Sequence, residues 1–204
     1  MSDGPVVAQP ACRLRAAAPD DAAALAELVV LAGGGVYEFQ LDGLFGDAAL
    51  TDVLASGICG VAGNFSYRHM FVAEDAASGA VAGMAHGYPT EWMRTLDRSF
   101  IPPDRLAHLA PFADLQDWDS YFVSALAVSP AWRRRGLGAA LLEALAAKAR
   151  SGGFPRLSLH VWADNAAALA FYAAVGFFEA GRADMPPHPR LPHVGGSVLL
   201  VRAL

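Results

Sequence analysis

The stretch SPAWRRRGLGAALLEAL, residues 129–145, sets three consecutive arginines and two glycines between an apolar run and an apolar helix. Upstream, YFVSALAV (121–128) is a nearly continuous apolar strand of the kind found at the centre of a sheet. Downstream, Leu137, Leu141, Leu142, Leu145 and Ala149 recur at helical spacing, with Lys148 and Arg150 in the last turn and SGG as the stop. A helix N-terminus carries about four backbone N–H groups without partners and roughly half a positive charge, so it attracts anions. Gly136 and Gly138 remove the Cβ atoms that would keep an anion from that backbone, and Arg133, Arg134 and Arg135 add charge at its rim. The turn reads as a phosphate site that needs no metal. Taken as packing alone, it is a solvated basic loop.

Working outward, CRLRAA (12–17) reads as a strand, and PDDAAALAELVVLAGGG as a helix with acids at its start and a glycine stop. Residues 37–60 are mixed, with a helical segment around DAALTDVLA. HMFVAED and AVAGMAHGYP flank AASG as a hairpin. RLSLHVW is a strand, DNAAALAFYAAVGF a helix, and FFEAGRA and SVLLVRAL are closing strands. Residues 90–118 break the pattern with aromatic, charged and proline-interrupted sequence and read as an insert or lid. The order implies an α/β fold with a sheet of mixed direction, a single domain over 12–204 preceded by a tail at 1–11.

Composition narrows the function. The chain has 204 residues, 54% of them hydrophobic, enough for one folded core. A net charge of -5 argues against a nucleic-acid partner, which makes the arginine turn a local feature. No apolar run is long enough for a membrane span, and the first residues do not read as a signal peptide. Cys12 and Cys59 suggest neither a metal cluster nor a disulfide framework, so the expectation is a cytoplasmic protein without a metal, as a monomer or homodimer.

Two other phosphate motifs fail. No G-x-x-x-x-G-K-[ST] string occurs, and the G-x-G-x-x-G fingerprint breaks at Leu141. A nucleotide-phosphate enzyme is therefore disfavoured. The stretch does resemble the central motif of the GNAT family of acetyl-CoA-dependent N-acyltransferases, an apolar strand, then [RQ]-x-x-G-x-[GA], then a helix, with Arg133, Gly136 and Gly138 in the motif positions. NAAALAFYAAVGF resembles the family's second motif through Asn165, Ala168, Tyr172, Gly176 and Phe177. The strong resemblance covers residues 120–178. It implies a mixed, mostly antiparallel sheet flanked by helices, with acetyl-CoA as cosubstrate and its pyrophosphate on the backbone of Arg134, Arg135, Gly136, Leu137, Gly138 and Ala139. It further implies a pantetheine arm lying along Leu126, Ala127 and Val128 where two strands splay, with Asn165 near that arm and Tyr172 near the sulfur.

The implied reaction acetylates a small-molecule or peptide amine by direct attack; the alternative is a GNAT-fold module that binds acyl-CoA and transfers nothing. An alkyl amine with a pKa near 10.4 is neutral in only about one molecule per thousand at pH 7, so its proton must be shed. Tyr172 is the expected general acid for the leaving thiolate. Asn165, seven residues before it, either contacts the cofactor or simply caps its helix. No carboxylate occurs in YFVSALAV, and the candidate bases are Asp119, Glu91 and His86, or a water relay. Cys59 lacks a local histidine pattern for an acyl-carrying nucleophile. Residues 90–119 carry Glu91, Asp97, Asp104, Asp114, Asp117 and Asp119 against Arg94, Arg98 and Arg105, which predicts an acidic cover that favours a cationic amine or else plain solvated surface.

Overall fold

The computed structural model describes residues 12–204, so the tail expected at 1–11 lies outside the described residues. Seven strands form one sheet: β1 (Cys12–Ala16), β2 (Met70–Asp75), β3 (Val81–Pro89), β4 (Tyr121–Val128), β5 (Arg156–Trp162), β6 (Phe178–Ala183) and β7 (Ser197–Ala203). Their spatial order is β1-β2-β3-β4-β5-β7-β6. Each neighbouring pair is antiparallel except β4 and β5, which are parallel and joined through the long helix α6 (Leu137–Ser151).

Helices cover both faces. On one, Leu141, Leu142, Leu145, Ala146 and Ala149 of α6 pack on the sheet together with Tyr172 of α7 (Ala166–Ala174). On the other, Leu25 and Val29 of α1 (Ala22–Gly33) and Leu54 and Ile58 of α3 (Leu50–Cys59) meet Met70, Val72 and Met84. The helix expected from Pro19 starts with a 3-10 turn whose Asp21 accepts the Ala18 N–H at 2.7 Å. A short helix α2 (Val36–Leu41) was not anticipated: Gly34 (φ 57°) and Gly35 (φ 98°) end α1 in left-handed geometry and redirect the chain straight into it. The 90–118 segment holds a 3-10 turn (Thr90–Arg94) and two short helices, α4 (Pro103–His108) and α5 (Ala110–Asp114).

The decisive irregularity is in β4. Along β3, His86 faces Ala125 and Gly87 faces Val123, so Ser124 is one residue too many and forms a β-bulge. An inserted residue reverses the side-chain alternation of everything that follows. Before it, Tyr121 and Val123 point to the α6 face; after it, Ala125 and Ala127 point to the α1 face. The bulge also bends β4 away from β5. The two strands pair only at Tyr121–Leu157 and Phe122–Ser158, and beyond Phe122 they separate.

At the bulge the sheet comes very close to Gly87. A Cβ there would stand 2.8 Å from the Phe122 carbonyl oxygen and 2.8 Å from the Tyr121 ring. The Gly87 carbonyl in turn accepts the Tyr121 hydroxyl at 2.7 Å. Gly87→Val is expected to destabilise the protein by about 2 kcal/mol or more through overpacking, lowering Tm by roughly 5 °C in a thermal melt. An unchanged Tm would show that β3 and β4 are not held at this distance.

Candidate functional site

The separation of β4 from β5 opens a cavity of about 630 Å³ that runs from the arginine turn to the 90–118 segment. At its outer end the chain enters left-handed geometry at Arg134 (φ 62°) and again at Gly136 (φ 79°), an arrangement that curls successive N–H groups into a concave anion seat. Gly136 sits at the N-terminus of α6, which has no side-chain cap. The first intrahelical bond runs from the Ala140 N–H to the Gly136 carbonyl at 3.1 Å, leaving the N–H groups of Leu137, Gly138 and Ala139 without helical acceptors. Arg133 lines the cavity and donates Nε–H to the Val128 carbonyl at 3.1 Å, and Arg135 lies over Trp132 with 4.7 Å to the ring centroid. Arg133, Arg134 and Arg135 are exposed and none forms an ion pair among the described residues.

The structure brings Leu126, Ala127, Val128, Arg133, Asn165 and Tyr172 onto one wall. Asn165 caps α7: its Oδ1 accepts the Ala168 N–H at 3.1 Å, while its amide NH₂ has no protein partner among the described residues. Cap and cavity-lining group are thus one residue. Tyr172 is buried against Phe171 and Phe177, and burial holds its phenol protonated, well above the usual tyrosine range.

The three candidate bases are not on that wall. Asp119 and Glu91 are exposed and do not line the cavity. Asp119 lies outside because it precedes β4 at the closed end of the β4–β5 pair, opposite the splay. Glu91 lies outside because the 3-10 turn buries Met93 and Thr90 instead. His86 is fully buried behind the wall; its Nε2–H donates to the Asn64 carbonyl at 2.7 Å, and Nδ1 has no partner. Burial pushes its pKa down to about 4. It positions Asn64, whose residue does line the cavity.

The acidic cover is also corrected. Of the six acids in 90–119 only Asp97 lines the cavity, and its exposed carboxylate accepts the Ser99 N–H at 2.9 Å. Asp117 is held by Arg156 through two bonds of 2.7 Å, a clamp between the insert and β5.

Residues that the sequence did not single out form the inner floor: Ser124, Tyr37, Tyr88 and Asn64. The Ser124 hydroxyl lies near the phenols of both Tyr37 and Tyr88, and burial raises both phenols above their ordinary range. The sequence carries a signal for Ser124, because it is the one small polar side chain in YFVSALAV. His160 of β5 also lines the cavity, with Nε2–H donating to the Leu115 carbonyl at 2.8 Å and Nδ1 accepting from Ser197 at 3.0 Å. With both nitrogens engaged and burial pushing its pKa to about 4, it is a neutral strut. Among the described residues no group of three or more potential metal ligands occurs, and no helix is long and apolar enough to cross a membrane.

Comparison with known proteins gives a consistent picture. The model of the acetyltransferase (GNAT) family matches residues 62–177. A ribosomal protein bS18-alanine N-acetyltransferase of Salmonella typhimurium is 36% identical over 104 residues, 47% of this chain and 69% of that protein. Its Escherichia coli namesake is 49% identical over 55 residues, but the match spans only 37% of that protein. Among solved structures, an N-acetyltransferase from Staphylococcus aureus superposes with a TM-score of 0.64 at 24% identity, covering 93% of this chain and 99% of that one. One from Kribbella flavida gives 0.60 at 21%, covering 95% and 98%. At these identities the likeness is one of fold.

The two buried histidines make stability depend on pH. Each is neutral in the fold with a pKa of about 4, against about 6.5 when unfolded, so unfolding takes up protons between those values. Stability is therefore full above pH 6.5 and falls as pH drops from 6.5 towards 4, by about 1 kcal/mol per pH unit for each histidine. Urea midpoints measured at pH 7.5, 6 and 5 should decrease in that order. A midpoint that stays level down to pH 4.5 would show that these imidazoles are not buried neutral.

Proposed function

The chain belongs to the acetyltransferase (GNAT) family, and we propose that it transfers the acetyl group of acetyl-CoA to a primary amine by direct attack in a ternary complex. One observation carries this reading: the gap between β4 and β5 leads from an uncapped helix N-terminus, flanked by three unpaired arginines, past Asn165 to a protonated tyrosine. A pyrophosphate fits the N–H groups of Leu137, Gly138 and Ala139, where hydrogen bonds to a charged group contribute about 1.5–3 kcal/mol each. A pantetheine arm fits beside Leu126, Ala127 and Val128, because β4 has no pairing to β5 there. The Asn165 amide is available to that arm. Cys12 and Cys59 do not line the cavity, which favours direct transfer over an acyl-cysteine intermediate.

In the proposed reaction the amine nitrogen attacks the thioester carbonyl, the new C–N bond forms, and the C–S bond breaks. The Tyr172 hydroxyl gives its proton to the departing thiolate, and the proton released by the new amide nitrogen returns to the tyrosinate through water. The amine arrives neutral. Desolvation in an apolar cavity disfavours the ammonium form and so does much of what a carboxylate base would do elsewhere. Ser124, with Tyr88 beside it, offers hydroxyl oxygens that can accept the amine N–H groups and aim the lone pair. The alanine of ribosomal protein bS18, named as acceptor for the Salmonella relative, is compatible with this chemistry, as is a free small amine.

Binding is tested at Gly138. A Cβ there would meet Phe171 at 3.4 Å, ordinary contact, so Gly138→Ala should fold normally while crowding the N–H seat. Its Kd for acetyl-CoA should rise about tenfold or more at unchanged Tm, the loss of one hydrogen bond to a charged group; parental affinity would move the pyrophosphate elsewhere. Chemistry is tested at Tyr172. Tyr172→Phe keeps the packing and removes the proton donor, so kcat in a thiol-release assay should fall about 100-fold with acetyl-CoA affinity retained. Full turnover with chemistry rate-limiting would make Tyr172 a packing residue, and acetyl-CoA binding without turnover on any amine would leave a binding module.

A further inference from the structure

The inner half of the cavity says what kind of amine it suits. Its walls come from three separate regions: α1 and α2, the loop that leads to α3, and the 90–118 segment. They are mainly apolar and aromatic. Charged lining residues are only Asp97, Arg98 and Arg133, and the one carboxylate among them, Asp97, is exposed to solvent. Arg133 belongs to the arginine turn, Arg98 reaches back towards the Met93 carbonyl at 3.4 Å, and Asp97 is exposed and turned to Ser99. The polar groups that remain gather at the floor, around Ser124.

The mouth has the same character. Phe45, from the loop after α2, and Phe100, from the insert, stand with ring centroids 6.5 Å apart. They are 44% and 52% exposed and both line the cavity. Single exposed apolar residues are ordinary, but two aromatic rings from distant segments, paired with each other, half exposed and lining the same apolar chamber, form a surface suited to an apolar ligand.

Building on the acetyltransferase reading, we propose that the acceptor is a small primary amine on a bulky, uncharged apolar body, with its amino group at Ser124 and its body enclosed by Met93, Leu96, Ile101, Phe45 and Phe100. A second positive charge would have to leave water for apolar walls, since the one lining carboxylate, Asp97, is exposed to solvent and does not reach into them. A polar peptide would bring backbone groups that these walls cannot pair. An aryl or alkyl body instead buries its surface against five apolar side chains.

The test compares four amines on the full chain, with affinities and rates expressed per neutral amine: phenethylamine, ethanolamine, putrescine and a short alanyl peptide with polar following residues. Binding to the protein saturated with coenzyme A is read by calorimetry, and turnover separately by thiol release. Phenethylamine is expected to bind, and to be acetylated, with about 30-fold or greater advantage over the others, the gain from burying one phenyl group. Phe100→Asp should remove most of that advantage and Phe100→Leu should keep it, with acetyl-CoA affinity and Tm as folding controls. If ethanolamine, putrescine or the peptide is acetylated best, the acceptor class is wrong while the transferase reading stands. If acetyl-CoA binds and no amine is turned over, the transferase reading fails, and the calorimetric order alone decides the chamber's preference: phenethylamine first supports it, any other order overturns it.

Discussion

Everything that matters in this fold follows from one surplus residue in β4. Ser124 has no partner between His86 and Gly87 on β3, and the strand accommodates it by bulging. The bulge reverses the alternation, so Tyr121 and Val123 serve the α6 core while Ala125 and Ala127 serve the α1 core. It also bends the strand off β5 after Phe122, which opens the sheet at the only parallel pair among the described residues. A parallel pair is the natural place for such an opening. The α6 crossover that joins β4 to β5 brings a helix N-terminus to the wide end of the gap, so the splay and the anion seat come from a single strand–helix–strand unit.

That unit was legible in the sequence because its parts are local. Arg133, Gly136 and Gly138 lie within six residues, and Asn165 and Tyr172 lie on one short helix, so spacing alone fixes how they stand to one another. The proposed acceptor half was not legible, since Tyr37, Asn64, Tyr88 and Ser124 come from four different segments and meet only through tertiary folding. The misplaced candidates have the same origin. Asp119, Glu91 and His86 lie close along the chain to a strand whose side-chain parity depends on the bulge, and nothing in the sequence marks that bulge. The charge count of 90–119 failed for a related reason: it treated as one field a segment whose acids face several ways, and one of them, Asp117, is already neutralised by Arg156.

The insert is held at a few points. Helices of six and five residues, like α4 and α5, are marginal alone. Arg105 ties α4 to the α2 end through the Gln40 carbonyl at 3.0 Å and the Asp42 carbonyl at 2.8 Å. His160 holds the Leu115 carbonyl just after α5, and Arg156 holds Asp117. These polar anchors fix the segment at its edges and leave its apolar side chains, Met93, Leu96, Phe100 and Ile101, to face the cavity. The buried histidines are therefore part of the frame. An imidazole kept neutral by burial costs no buried charge, and it can donate to one main-chain carbonyl as His86 and His160 both do.

The two halves of the proposed site then share one physical logic. Both ends of the cofactor path present backbone groups that secondary structure has not used: the first N–H groups of α6 and the β4 edge beyond Phe122. Main-chain polar groups of this kind are ordinarily paired, so a ligand that pairs them completes the structure as well as occupying it. Such a ligand binds the folded chain and not the unfolded one, and it must raise stability in proportion to the logarithm of its concentration over Kd. The acceptor chamber contributes in the opposite way. It offers apolar wall and few hydrogen bonds, so under the proposed function it would select by what it declines to solvate, and the same dryness that disfavours a charged body would favour the neutral form of an attacking amine.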